Sequence, residues 1–134
     1  MPHIIRLRGP WDYEVLSQAA GPPAAAPSGR LQIPCDWSAT LGAEFRGLVR
    51  YRRFFNWTAP LGDTTKVTLA FDSVAQIATA MLNGQPLGSI GPGPAWRPIE
   101  QLLQPRNELI VDIESPNDAA LPGGLTGEVR LEIE

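Results

Sequence analysis

The sequence is poor in the residues that most often carry catalysis and structural metal binding. Its 134 residues include one cysteine, Cys35, and one histidine, His3. A single cysteine excludes a disulfide within the chain, and one Cys with one His cannot complete a structural zinc site. A serine or cysteine nucleophile needs a base beside it, so one histidine at the start of the chain gives little support to nucleophilic catalysis. Cys35 is expected to be a small core or loop residue.

Basic residues in excess and long apolar runs are also missing. Eleven Lys and Arg stand against 14 Asp and Glu, which gives a net charge of −3, so no basic surface for nucleic acid is predicted. No stretch reaches the roughly 18 apolar residues of a membrane span, and the first residues lack the apolar segment of a signal peptide. We therefore expect a cytoplasmic protein that binds neither nucleic acid nor membranes.

Proline and glycine are abundant instead, with 14 and 13 residues, while 43% of the chain is hydrophobic. The prolines interrupt most windows in which a long helix could form. Alternation of apolar and polar residues predicts strands, which we place at 46–57, 66–72, 107–114 and 127–134. Asn83-Gly84 predicts a tight hairpin between 77–82 and 87–90. Other expected elements are a short helical turn at 98–103 and a surface loop at 19–27.

The segment 46–57 is the longest and most aromatic of these strands. Val49, Tyr51 and Phe55 fall on one face, and Arg50 and Arg52 on the other, which is typical of a central strand covered on one side. We expect the arginines to pair with strand carboxylates such as Glu114 or Glu128. The whole pattern predicts an all-β sandwich or jelly roll, formed as a single domain over residues 1–134.

The order of several short motifs resembles a known family. The motifs, which run from about Leu7 to Ile133, are Leu7-Arg8-Gly9-Pro10-Trp11, Ile33-Pro34-Cys35-Asp36-Trp37, Gly47–Phe55, Val67–Phe71, Leu82-Asn83-Gly84-Gln85-Pro86-Leu87-Gly88, Asn107–Val111 and Gly124–Leu131. Together they resemble the N-terminal sugar-binding domain of glycoside hydrolase family 2, the β-galactosidase and β-glucuronidase group. The resemblance implies a galactose-binding-like jelly roll. In that family the catalytic carboxylates lie in a separate barrel domain, so the resemblance implies no enzymatic activity for this chain.

The tryptophans are the best candidates for ligand contact. A sugar can stack its C–H face on an indole ring while Arg or Asp side chains bond its hydroxyls. Trp96 and Arg97 end a Gly/Pro-rich loop, and Asp36 and Trp37 lie in another predicted loop. Our candidate carbohydrate-binding residues are therefore Trp96, Arg97, Trp37 and Asp36, with packing as the alternative role for Trp37 and Trp96. We expect Trp11 and Trp57 in the core.

No cofactor or metal is expected. Asp36, Asp72 and Asp118 lie near predicted turns and could supply oxygen ligands to calcium, but the sequence has no dense run of acidic ligands.

The sequence therefore leads to two hypotheses on function. The first is a non-catalytic carbohydrate-binding module. The alternative is a structural or protein-interaction module that uses an exposed sheet face or edge to dock a partner subunit or a second copy. Docking of a second copy would give a homo-oligomer.

Overall fold

Two antiparallel β-sheets make up the structure, a computed structural model that describes residues 3–23 and 26–134. The strands are β1 (His3–Arg6), β2 (Pro10–Ala20), β3 (Ser28–Gln32), β4 (Cys35–Asp36), β5 (Arg46–Asn56), β6 (Val67–Ala75), β7 (Ile77–Leu82), β8 (Gln85–Ile90), β9 (Gly93–Pro98), β10 (Arg106–Ser115), β11 (Gly124–Leu125) and β12 (Val129–Ile133). One helical turn, α1, spans Ser38–Leu41. No helix in the described ranges is long and apolar enough to cross a membrane.

Each sheet has six strands. In the first, sheet A, the order is β1-β12-β6-β11-β4, and β9 pairs with the other edge of β6. In the second, sheet B, the order is β3-β2-β5-β10-β7-β8. The inner faces of both sheets meet in one apolar core. The predicted all-β sandwich is confirmed.

The strand β5 lies centrally in sheet B, between β2 and β10, as the sequence predicted. It pairs with β10 without interruption from Gly47↔Ser115 to Asn56↔Arg106. Val49 and Tyr51 on its inner face are fully buried, whereas Phe54 on its outer face is exposed. The alternation of residue types along the sequence therefore predicted correctly which face of β5 is buried and which is exposed.

The β7–β8 hairpin also forms where it was expected. Asn83 has φ 53° and Gly84 has φ 80°. Two consecutive positive φ values are what a two-residue hairpin turn of the favoured twist requires, and Asn-Gly supplies them at low cost.

Two local predictions need correction. The expected helical turn at 98–103 is reduced to one hydrogen-bonded turn, in which the Leu102 N–H donates to the Ile99 carbonyl at 2.9 Å. Pro98 instead ends β9, and Ile99 is buried with its N–H donating to the Val67 carbonyl at 2.9 Å. This second contact extends the pairing with β6, and tertiary contact overrides a weak helical signal. In the expected loop at 19–27, Ala19 and Ala20 continue β2, while residues 24 and 25 lie outside the described residues.

The core contains two of the four tryptophans. Trp11 and Trp37 are fully buried, and Trp37 meets Phe45 edge to face with ring centroids 5.6 Å apart. The expectation for Trp11 is confirmed, while Trp57 is only partly buried and packs against the rim of the core. Cys35 is partly buried in β4, and its burial raises the pKa of the thiol.

The outer face of sheet B pairs its charges, but with partners that the sequence did not identify. Arg50 forms a bidentate pair with Asp112 at 2.8 and 3.0 Å, and Arg52 reaches Glu108 at 3.1 Å. Register decides the choice, because Asp112 lies directly opposite Arg50. The two carboxylates that we expected as partners do not pair with these arginines. Glu114 lies opposite Leu48, and Glu128 lies outside sheet B and pairs with Arg6 and Arg8.

The buried Tyr51 generates a prediction about stability. Its hydroxyl has no hydrogen-bond partner among the described residues, and burial raises the pKa of the phenol. Because an unpaired buried polar group costs about 1–3 kcal/mol, we expect Tyr51→Phe to leave the free energy of unfolding unchanged or to raise it by about 1 kcal/mol. Urea denaturation measures the effect.

The matched control is Tyr13→Phe. The Tyr13 hydroxyl donates to the Ala26 carbonyl at 2.7 Å, so its removal should lower the free energy of unfolding by about 1 kcal/mol. Equal losses in the two variants would show that the Tyr51 hydroxyl is bonded after all.

Candidate functional site

Trp96 lies in the regular strand β9 and not at the end of a loop as we expected. Its register partner in β6 is Ala70, and strand alternation turns its side chain outward together with Pro94 and Pro98. The residue is 53% exposed, the highest value for any aromatic residue that the structure describes. Prolines are compatible with β9 because β6 is its only strand partner in the described structure and edge strands tolerate a missing N–H.

A row of three residues crosses the outer face of sheet A at this level. Ala70 of β6 lies between Trp96 of β9 and Arg130 of β12. Ala70 is fully buried although it faces outward. Since directly paired side chains stand about 5 Å apart, the simplest cause is that its two large neighbours lean over it.

Two carboxylates hold the guanidinium of Arg130. Its Nε donates to Glu132 at 2.9 Å, and its Nη1 donates to Asp72. The side chain of Arg130 is 17% exposed, against 45% for Asp72 and 29% for Glu132. The bond to Asp72, followed by that to Glu132, raises the pKa of the arginine, so the guanidinium is a fixed positive charge with carboxylate oxygens around it. We call the surface formed by Trp96, Ala70, Asp72, Arg130 and Glu132 the Trp96 face.

Arg97 points to the opposite side of β9. Its guanidinium donates to the carbonyls of Leu87 at 2.9 Å, Ser89 at 2.5 Å and Trp96 at 2.8 Å. It lies in a groove of about 500 Å³ whose other polar side chains are Glu100 and Gln101. The side chains of Trp96 and Arg97 therefore do not converge on one site. Arg97 instead joins β9 of sheet A to β8 of sheet B.

Asp36 and Trp37 lie apart from Trp96 and have structural roles. Trp37 is fully buried and donates from Nε1 to the Phe45 carbonyl at 3.2 Å, so it has no free ring face and its proposed sugar contact is wrong. Asp36 accepts from the Ser38 hydroxyl at 2.5 Å and from the Ser38 N–H at 2.8 Å, and these bonds lower its pKa. It steadies the start of α1, and β11 and β6 separate its strand from β9.

The described residues contain no group of three or more His, Cys, Asp or Glu that could hold a metal ion. Of the acids considered for calcium, Asp72 is bound to Arg130 and Asp36 to Ser38.

The polar half of the Trp96 face was not predicted from the sequence. Asp72, Arg130 and Glu132 all occupy solvent-facing positions of strands that were predicted correctly. The missing information was that β6 pairs with β12 on one edge and with β9 on the other. Alternation reveals the outward face of each strand but not which strand lies beside it.

Comparisons with known proteins identify structures that have the same fold. No family model matches the sequence, and no curated protein matches it. Among solved structures, a Bifidobacterium dentium β-glucuronidase complexed with coumarin-3-O-glucuronide superposes with a TM-score of 0.78 at 22% identity, covering 98% of this chain and 30% of its own. An FMN-binding β-glucuronidase from Facaelibacterium prausnitzii L2-6 gives 0.79 at 21% identity, with 99% and 22% covered.

A third similar structure is a rhamnosidase from Novosphingobium sp. PP1Y, with a TM-score of 0.76 at 21% identity and coverage of 100% of this chain and 15% of that enzyme. A family 2 β-galacturonidase from Eisenbergiella tayi also matches, at 0.70 and 20% identity. The chain has the fold of one glycosidase domain. The fold that the family resemblance implied is thus confirmed, and the chain spans only 15–30% of the first three enzymes.

The contacts of Arg97 predict a structural effect. We expect Arg97→Ala to lower the free energy of unfolding by about 1–3 kcal/mol, because charge-assisted hydrogen bonds between the sheets are lost. Arg30→Ala is the control: its ion pair with Asp12 at 3.4 Å lies at the surface, with the Arg30 side chain 73% exposed, and should contribute less than about 1 kcal/mol. Chemical denaturation of both variants measures the difference, and equal costs would contradict the bridging role.

Proposed function

We propose that the chain is a non-catalytic carbohydrate-binding module and that the Trp96 face is its binding surface. The observation that carries the proposal is the exposure of Trp96 on a regular strand, on the same sheet face as two partly exposed carboxylates. Indole rings stack on the C–H faces of sugars, and carboxylate oxygens accept hydrogen bonds from hydroxyls.

The dimensions of the surface support this function. Neighbouring strands lie about 4.8 Å apart, so β9 and β12 are separated by about 10 Å. A sugar ring on Trp96 can therefore extend over Ala70 and bring hydroxyls towards Asp72 and Glu132. Because β9 pairs with β6 and is tied to β8 through Arg97, the platform is held in place before a ligand binds, which lowers the entropic cost of binding.

The same contacts favour binding over catalysis. Glycoside hydrolysis by two carboxyl groups needs one of them to carry a proton for the leaving group. Asp72 and Glu132 both form ion pairs with Arg130, so one guanidinium already engages the two carboxyl groups nearest Trp96 on this face. The resemblance to family 2 also places the catalytic groups of those enzymes in another domain.

The test is a glycan-binding screen followed by affinity measurement on one ligand that binds. Trp96→Ala should weaken binding by about tenfold or more, since loss of a stacking partner is expected to cost at least 1.4 kcal/mol. Phe54→Ala is the matched control, because Phe54 is the other exposed aromatic, at 37%, and lies on the outer face of sheet B. Unchanged binding by Trp96→Ala would reject the site, and a wild-type protein that binds no glycan would reject the function.

A second candidate function, protein interaction, is favoured by a separate observation. Ile77 is 55% exposed and Leu121 is 67% exposed. The Leu121 backbone lies near the start of β7, because the side-chain amide of Gln76, the residue before Ile77, donates to the Leu121 carbonyl at 3.1 Å. Exposed aliphatic side chains on two adjoining segments are a feature of docking surfaces.

Sedimentation equilibrium tests this alternative in its simplest form, self-association. If the patch docks a second copy, the wild type should form a concentration-dependent dimer, and the double variant Ile77→Ser, Leu121→Ser should be a monomer with unchanged glycan binding. A wild-type monomer at all concentrations would reject self-association through this patch.

A further inference from the structure

We infer that the Trp96 face selects neutral saccharides over uronic acids, an inference that rests on the proposed function of this surface. It concerns the ligand class and is argued from the charges around Trp96.

Carboxylates are the charged groups that the Trp96 face presents to a ligand. From Trp96 outward, the first neighbouring strand, β6, brings Asp72, and the next strand, β12, brings Arg130 and Glu132. Arg130 is the least exposed of the three charged side chains and is bonded to both acids. A ligand over Ala70 therefore meets two carboxylates and one guanidinium that is already occupied.

More distant cations do not change this balance. Arg6 lies opposite Arg130 on β1, which is the strand farthest from β9 in this part of the sheet. Arg6 and Arg8 both pair with Glu128, at 3.1 and 3.6 Å. At strand spacings of about 4.8 Å, β1 is roughly 10 Å from β6 and therefore from a ligand over Ala70, which still exceeds the screening length of about 8 Å at physiological ionic strength. Arg97, the nearest guanidinium along the chain, is bonded on the opposite side of β9.

Recognition of a uronate would need the reverse arrangement. Proteins hold a carboxylate with a guanidinium that offers two parallel N–H groups. On the Trp96 face such a ligand would meet like charge without a free guanidinium, and like-charge contact at a binding surface is an effective means of rejecting a ligand. A neutral sugar avoids this repulsion, and its hydroxyls can donate to the carboxylate oxygens.

The experiment compares ligands that differ in one group. Cello-oligosaccharides and β-1,4-galacto-oligosaccharides are titrated against the full chain by calorimetry, beside counterparts in which each C6 hydroxymethyl is oxidised to a carboxylate. We expect the neutral ligand to bind at least about tenfold more tightly at low salt, and we expect the ratio to shrink as salt screens the repulsion.

Charge-removing variants test whether the effect is local. Glu132→Gln should reduce the ratio of the affinities for the neutral and the oxidised ligand by several-fold; we call this difference in affinity the gap. Asp112→Asn removes the same charge from the outer face of sheet B, where Asp112 pairs with Arg50, and should leave the gap unchanged. Thermal melts confirm that both variants fold, and Asp72→Asn provides a second variant on the Trp96 face if Glu132→Gln does not.

The outcomes separate the two levels of the proposal. Equal or tighter binding of the oxidised ligands, or a gap that responds equally to Asp112→Asn, overturns the neutral preference and leaves carbohydrate binding intact. Failure of every neutral and oxidised ligand to bind overturns the preference together with the proposed site.

Discussion

The uninterrupted pairing of β5 with β10 is the constraint on which the rest of the molecule depends. It fixes which residues of both strands face the core and sets Arg50 opposite Asp112 on the outside. On the other edge of β5, Gly47 lets β2 approach, since a Cβ at this position would lie 2.2 Å from the Ser17 carbonyl oxygen. With β2 and β10 fixed on either side, sheet B presents a continuous apolar inner face on which sheet A closes.

The way in which the two sheets are joined at β9 also leaves the Trp96 side chain exposed on the surface. Arg97 and Trp96 are adjacent in β9, so alternation sends their side chains to opposite sides. The inward side is used to bond three backbone carbonyls, two of them in β8. The outward side carries an indole that has no role in the core. One dipeptide thus attaches the edge of sheet A to sheet B and leaves an aromatic ring on its surface.

Local sequence signals predicted the fold, but burial and strand pairing decided the site. Alternation found the strands, and Asn83-Gly84 found the hairpin, because both signals act within a few residues. The burial of Trp37 was not predictable in this way, since it depends on contacts with Phe45 and with the distant Gly123. Gly123 is so close to Trp37 that a Cβ added to it would lie 2.9 Å from the indole. The strand at Trp96 was missed because prolines usually oppose pairing, and only an edge position makes them acceptable. The carboxylates at Arg130 needed the register of β6 and β12.

The central claim, that Trp96 alone among the four tryptophans contacts a sugar, is tested most directly by NMR of the indole N–H groups. Trp11 and Trp37 donate these groups to backbone carbonyls inside the protein, and the Nε1 atom of Trp57 is buried. Titration with a cello- or galacto-oligosaccharide should move the indole signal that disappears in Trp96→Phe and leave the other three in place. A titration in which the oligosaccharide binds and that signal stays fixed would contradict the account.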